Sequence, residues 1–301
     1  MENLKINGNV AFQEENHKYF DLDNPSNTYI SVTTLIEQFG QPFEKDFWSK
    51  YKAFQSLVQK DEFDLEKKAL QATHKFNDEL LKIYNIDEDT FLKQQQKILD
   101  EWEATNKEAC ERGTKIHSGL EHSMYDMGDN VNLQRFGIGG KFVCDKGRTE
   151  LDLENGVYPE YLISRTSADK VLRLAGQIDL LVKRGNKITV GDYKTNKKID
   201  LHSYFDPKIR STTKMKYPLN NLEDCNFYHY TLQLSTYAWM IQQLNPAYEI
   251  EDLVLIHFDH NKKMTIYHLD YLKDEVEKML RWHKRQILHQ KQLEKYKRIE
   301  Y

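Results

Sequence analysis

Gly176-Gln177-Ile178-Asp179-Leu180-Leu181-Val182-Lys183-Arg184-Gly185-Asn186-Lys187-Ile188-Thr189-Val190-Gly191-Asp192-Tyr193-Lys194 reads as two β-type runs around a two-residue turn. Tight hairpin turns need positive φ, which Gly and Asn tolerate, so Gly185-Asn186 is the loop. Arg184 then faces Lys187, and counting outward sets Asp179 opposite Asp192. Side chains alternate along a strand, so Gln177, Asp179 and Leu181 share a face with Val190, Asp192 and Lys194. Directly opposed carboxylates about 5 Å apart, at an effective dielectric of about 20, repel by about 3 kcal/mol. Protonation, splaying toward water or a cation between them relieves this. Lys194 supplies part of the relief, and a divalent metal would supply more, with Mg²⁺ or Mn²⁺ suited to oxygen ligands. A single Asp near a strand end is ordinarily a turn or solvent residue. Two in register, with a lysine two positions after the second on the same face, are hard to reach by surface composition alone.

Working outward, residues 157–194 read as three strands, YPEYLIS, LAGQIDLLV and KITVGDYK, and 227–245 and 271–300 as helices. Residues 8–32 hold short β-type runs (VAFQ, KYF, TYISVT) broken by Asp23-Asn24-Pro25, which predicts a small sheet covering one edge. From Pro42 to His122 the apolar spacing is helical, as in Phe91, Ile98, Leu99 and Trp102. Strands enclosed by helices on both sequence sides predict an α/β fold, a central mixed β-sheet flanked by helices with an N-terminal helical elaboration. The expected division is an N-terminal β element and helical region over 1–110 and a core over 111–301, compatible with one continuous domain.

Composition bounds the function. The chain has 301 residues, 39% of them apolar and 30% charged, which is enough for a sizeable core and for an enzyme. Cys110, Cys144 and Cys225 are odd in number and far apart, against a disulfide framework or a Cys-rich zinc site. No signal-like or membrane-spanning apolar run is present, so a cytoplasmic location without membrane association is expected. A formal charge of −4 gives no global attraction to nucleic acid, so any such binding depends on local patches. One is visible: seven cations (Lys194, Lys197, Lys198, Lys208, Arg210, Lys214, Lys216) against two acids (Asp200, Asp206). The bland reading of that patch is a solvated loop.

Asp179, twelve residues, then Asp192-Tyr193-Lys194 resembles the core signature of PD-(D/E)XK nucleases, in the RecB-like and phage-type exonuclease branch. Gly176-Gln177-Ile178-Asp179-Leu180 is similar to the branch's G-x-[IV]-D-[LF] context, with Ile178 in place of the Pro that precedes the acid elsewhere in the superfamily. Arg112-Gly113-Thr114-Lys115-Ile116-His117-Ser118-Gly119-Leu120-Glu121 resembles the R-G-x-x-x-H-x-x-x-E helix, whose His is a metal ligand. Gln233-Leu234-Ser235-Thr236-Tyr237 resembles the Q-x-x-x-Y motif, read here on an amphipathic helix with Leu234 and Trp239 on the opposite face.

The resemblance implies a restriction-endonuclease-like core and a Mg²⁺- or Mn²⁺-dependent deoxyribonuclease using one or two ions, with Asp179, Asp192 and Lys194 catalytic. His117, Asp179, Asp192 and the main-chain carbonyl of Tyr193 are the implied metal ligands, with Glu160 and Glu121 as further candidates. Gln233, Tyr237, Arg112, Lys197 and Lys198 are the implied nucleic-acid contacts. The α-helical C-terminus, with Arg281, Lys284, Arg285, Lys291, Lys295, Lys297 and Arg298, would extend the basic track. An iron–sulfur cluster is not expected, because no cysteine follows Cys225. The favoured reaction is exonucleolytic digestion of linear DNA in phage-type recombination or repair, beside a single-strand annealing protein or helicase. A structure-specific endonuclease and a catalytically silent DNA-binding subunit are the alternatives. Monomer, dimer and ring are all compatible with the sequence.

Overall fold

The computed structural model describes residues 4–13, 15–127, 151–207, 209–261 and 263–299. The side chains of Glu121 and Arg298, and all of Cys144 and Lys208, lie outside them. Four short strands come first, β1 (Leu4–Asn7), β2 (Val10–Gln13), β3 (Lys18–Asp21) and β4 (Thr28–Ser31), and then α1 (Val32–Glu37), capped by Ser31, which accepts from Thr34 N. The helices α2 (Lys45–Leu57), α3 (Lys60–Thr73), α4 (Glu79–Ile83) and the 40-residue α5 (Glu88–Met127) follow. Next are β5 (Gly156–Thr166), β6 (Arg173–Arg184) and β7 (Lys187–Lys194), then the short pair β8 (Phe205–Asp206) and β9 (Ser211–Thr212). The chain ends with α6 (Asn226–Leu244), β10 (Glu249–Phe258), β11 (Met264–His268) and α7 (Lys273–Ile299).

Among the described residues nine strands join one mixed sheet in the order β1-β2-β3-β4-β6-β7-β10-β11, with β5 also on β6. The molecule is thus α/β with its sheet flanked by helices, as the sequence pattern predicts. β5 lines one edge of β6 from Arg173 to Lys183. The other edge is divided: β4 pairs in parallel at Leu174 and Ala175, and β7 pairs antiparallel from Leu180 to Arg184. Positions 176–179 fall in the interval between them. The N-terminal strands do more than cover an edge, because β4 hydrogen-bonds directly to the central strand.

Strand alternation sorts two cores. Leu181, Val190 and Leu255 face α1, α6 and α7, while Leu180, Val182, Tyr193, Val254 and Ile256 face Leu120 of α5. β10 runs parallel to β7, and its buried Leu253-Val254-Leu255-Ile256 shows the continuous apolar run of a strand covered on both faces. The helices α2 to α5 hold a third core of their own, rich in aromatic rings such as Phe47, Tyr51, Phe54 and Phe91.

One sequence reading needs correction. The Q-x-x-x-Y helix, α6, is not amphipathic: Thr231 through Ala238 are all buried, including Leu234 and its neighbours on every side. It packs between the sheet and α7 as a central helix, so Gln233 and Tyr237 are largely buried and reach the surface where they line the cleft beside His117 and Asp179.

Candidate active site

The site is built where strand pairing stops. The β6–β7 register is the one that a Gly185-Asn186 turn dictates, but its last paired residues are Leu180 and Gly191. One step further, Asp179 does not continue the ladder; its Oδ2 accepts from Tyr193 N at 2.9 Å. A side-chain carboxylate thereby replaces a main-chain acceptor. On the other side of β6, Pro159 pairs with Leu180 and Tyr161 with Ile178, which sets Glu160 across from Asp179. Glu160 has φ of 51°, a left-handed conformation that costs a non-glycine residue on the order of 1–2 kcal/mol and concentrates at functional sites. Glu160, Asp179 and Asp192 therefore occupy matching positions on three adjacent strands.

His117 reaches these strands from α5. Its Nδ1 lies 3.3 Å from Asp179 Oδ2 and 3.8 Å from Glu160 Oε1, and its Nε2 lies 3.0 Å from Tyr193 O. Donation of Nε2–H to that carbonyl leaves the Nδ1 lone pair facing the two acids, the tautomer a metal ligand requires. One ligand atom each from His117, Glu160 and Asp179 lies within 4.8 Å of the others, so this cluster could hold a metal ion. Asp192 stands outside the cluster. Its Oδ2 meets Lys194 Nζ at 2.5 Å, and its Oδ1 accepts from Gln233 Nε2 at 3.0 Å. Asp192 Oδ2 is buried and has the Lys194 ammonium as its charge partner rather than an aligned hydrogen bond.

The charges explain why a cation fits. Burial raises the pKa of Asp179, and the nearby Asp192 adds to the shift, partly opposed by His117. Burial disfavours the imidazolium of His117, but Glu160, Asp179 and Asp192 outweigh it and push its pKa up. Burial likewise opposes the charge on Lys194, which Asp192 and Asp179 restore and raise above its ordinary value. Buried acids outnumber the fixed cations, and their carboxylate oxygens suit Mg²⁺ and Mn²⁺, while the imidazole nitrogen of His117 is a softer donor that favours a transition metal over Mg²⁺.

The raised pKa of Asp179 makes Asp179→Asn a test of stability. Because the folded pKa is raised, the contribution of Asp179 to stability is present below the ordinary value of 3.8 and lost as pH rises through the folded value. Without metal, Asp179→Asn should melt a few degrees above the native chain, by an amount that grows with pH. Added Mn²⁺ should raise the melting temperature of the native chain and not that of the variant. A pH-independent difference between the two melting curves would refute this account.

The remaining sequence candidates are dispersed around this centre. Arg112 donates to Thr195 O at 3.2 Å, tying α5 to the segment that follows β7. Lys197 and Lys198 are exposed, and Lys198 pairs with Asp200 at 2.5 Å. Glu121 lies on α5. Tyr237 is packed against Gly176, where a Cβ would fall 2.5 Å from its ring. On α7, Lys284 pairs with Asp169 at 2.6 Å and Arg281 with Glu277 at 3.5 Å.

The structure also adds residues that sequence reasoning missed. Lys5 approaches Glu160 at 3.9 Å, and the buried Tyr19 has its pKa raised by burial and then by Glu160 and Asp179. Both line, with His117 and Asp179, an open cleft of about 470 Å³. Lys194 Nζ lies 4.9 Å from the ring centroid of Tyr230, whose hydroxyl donates to Asn196 Oδ1 at 2.7 Å. Tyr230 precedes Gln233 by one helical turn, a spacing that could have flagged it. Lys5 and Tyr19 come from strands more than a hundred residues away and have no local signal.

No family model matches the chain, and no curated protein matches it. Among solved structures, the crystal structure of SSO0001 is similar at 15% identity and a TM-score of 0.35, covering 87% of this chain and 76% of that one. A protein from Eubacterium rectale named "Putative exonuclease" is similar at 10% identity and a TM-score of 0.34, covering 86% and 80%. Likenesses this distant carry no argument about function. Among the described residues no helix is long and apolar enough to cross a membrane.

Proposed function

We propose that this chain is a metal-dependent deoxyribonuclease of the PD-(D/E)XK type that hydrolyses phosphodiester bonds. The observation that carries this reading is the convergence of His117, Glu160 and Asp179 on one point beside the Asp192–Lys194 pair. His117 Nδ1, Glu160 and Asp179 would hold the ion, with Asp192 and Tyr193 O available to complete one or two sites. When bound, Mg²⁺ or Mn²⁺ polarises the scissile phosphate and lowers the pKa of an attacking water. Lys194 has the charge and the fixed position to orient that water and to stabilise the developing negative charge. Asp192 and the Tyr230 ring hold its ammonium, and Gln233 holds Asp192 in turn. Arg112, Lys197 and Lys198 would meet backbone phosphates, giving affinity that falls with salt.

The preference for linear ends, for phage-type recombination or repair and for an annealing-protein or helicase partner rests on the sequence resemblance. The test is digestion of end-labelled linear DNA and covalently closed circles in Mg²⁺, Mn²⁺ or EDTA. Metal-dependent loss of linear DNA with circles spared is the expected result. Cleavage of circles would replace exonuclease by endonuclease, and DNA binding without cleavage in either metal would leave a silent binding subunit.

A further inference from the structure

The segment from Thr195 to Cys225, between β7 and α6, contributes little to the chemistry above, yet its base is firmly fixed. Ser203 N donates to Glu223 Oε2 at 2.8 Å, Ser203 Oγ to Thr213 O at 2.7 Å, and Thr213 N to Tyr204 O at 3.0 Å. His257 Nε2 meets Asn196 O at 2.7 Å. From that base the β8–β9 hairpin projects with its large apolar side chains outward. Tyr204 is 50% exposed, Phe205 57% and Tyr217 68%. Cations are interleaved with these rings: Lys197 and Lys198 precede Tyr204, and Arg210, Lys214 and Lys216 lie between Phe205 and Tyr217. Lys198, His202 and Tyr204 line one cleft of about 510 Å³ together with Asp200 and Asp224, and Lys198 pairs with Asp200 and Lys214 with Glu223, acids that a phosphate would have to displace. Tyr217 lines a smaller one, about 100 Å³, with Lys278, Arg281, Trp282 and Arg285 of α7, so the two basic stretches of the sequence meet at this ring.

We propose that residues 197–207 and 209–217, with the adjoining face of α7, form a platform for an unpaired DNA strand. Bases would stack on Tyr204, Phe205 and Tyr217 while phosphates meet the interleaved cations. In a single strand every base offers a face for stacking regardless of sequence. In a duplex those faces are covered by neighbouring bases, and a side-chain ring reaches them only by unstacking a step, at a cost in free energy. The platform begins three residues after Lys194, so a strand lying on it continues toward the site. As substrate specificity the inference rests on the nuclease reading, making the substrate a single strand or a frayed end; as a binding surface it is independent of it.

The experiment is fluorescence anisotropy of a labelled oligothymidylate and of a mixed-sequence duplex in EDTA, where cleavage is off. The full chain is compared as native, Tyr204→Ala/Phe205→Ala and Tyr204→Trp/Phe205→Trp. The alanine pair should weaken oligothymidylate binding by about tenfold or more while changing duplex binding by less than about twofold, and the tryptophan pair should retain affinity. Phe205 is exposed, whereas Tyr204 also meets Trp48 edge-on, so melting temperature is the folding control and binding is compared only where all three are folded. Unchanged oligothymidylate affinity in the alanine pair overturns the platform, and so does an equal loss for both DNAs. If the platform fails while metal-dependent cleavage persists, the nuclease reading survives alone. If stacking is lost as expected but no metal supports cleavage, the platform survives and the nuclease reading does not.

Discussion

Asp192→Asn should lower metal-dependent cleavage by about 10³-fold or more while leaving the fold intact. A loss of that size corresponds to about 4 kcal/mol of transition-state stabilisation, the order expected when a site loses a charged group that organises its ion and its lysine. Asparagine has the shape of aspartate, so the bond from Gln233 Nε2 to Asp192 Oδ1 survives the change. What disappears is the negative charge facing Lys194 Nζ at 2.5 Å. Lys194 is then a buried cation without its main counter-charge, and its pKa falls from the raised value it now holds. Lys194→Ala should cost a similar factor with DNA affinity little changed, and the double variant should be no worse than the more damaging single one, because the two act as a unit. The measurement is single-turnover cleavage of linear DNA in saturating Mn²⁺, with melting temperature as the folding control. Retention of even about a tenth of the native rate by Asp192→Asn would remove Asp192 from the active centre.

Gly176→Ala should damage both stability and cleavage, although residue 176 carries no functional group. A Cβ there would lie 2.5 Å from Tyr237 Cε1 and 2.8 Å from its hydroxyl oxygen, closer than a Cβ packs against any neighbour. Tyr237 is 3% exposed on a helix buried from Thr231 to Ala238 and only borders the cleft, so its ring has little freedom to shift. Relief must come from moving β6 against α6, at a cost of about 1–3 kcal/mol, or several degrees of melting temperature. The same movement separates Gln233 from Asp192, since Gln233 and Tyr237 are on successive turns of α6. Cleavage should therefore fall further than stability alone explains, under conditions where the variant is still folded. A Gly176→Ala variant with native melting and native rate would show that α6 does not brace the site.

The β6–β7 hairpin was legible because its signals are local. The Gly-Asn turn, the alternation and the spacing from Asp179 to Lys194 all lie within nineteen residues, and the observed register follows from them. The α/β class was legible for a similar reason, since strand and helix periodicities are written along the chain. β10 and β11 were overlooked, because a short apolar run such as Leu253–Ile256 has no period of its own and takes its meaning from the parallel neighbour β7. The sequence of α6 reads as amphipathic because Gln, Ser, Thr and Tyr look wet. In the fold those polar atoms find buried partners, as Ser235 Oγ does with Leu272 N at 3.0 Å.

The sequence by itself determined which residues carry charge, which of them share a strand face, and that two acids and a lysine would be forced together at the mouth of a hairpin. Only the tertiary structure decided how that crowding is resolved. Strand pairing breaks at Asp179, His117 arrives from a helix more than sixty residues upstream, and Glu160 adopts a left-handed backbone to join them, while Asp192 turns away to Lys194 and Gln233. The physical reason is range. Turn chemistry and alternation act between neighbours in the chain, whereas the field at a buried carboxylate is set by every charge and dipole within a few ångströms, whatever its sequence distance.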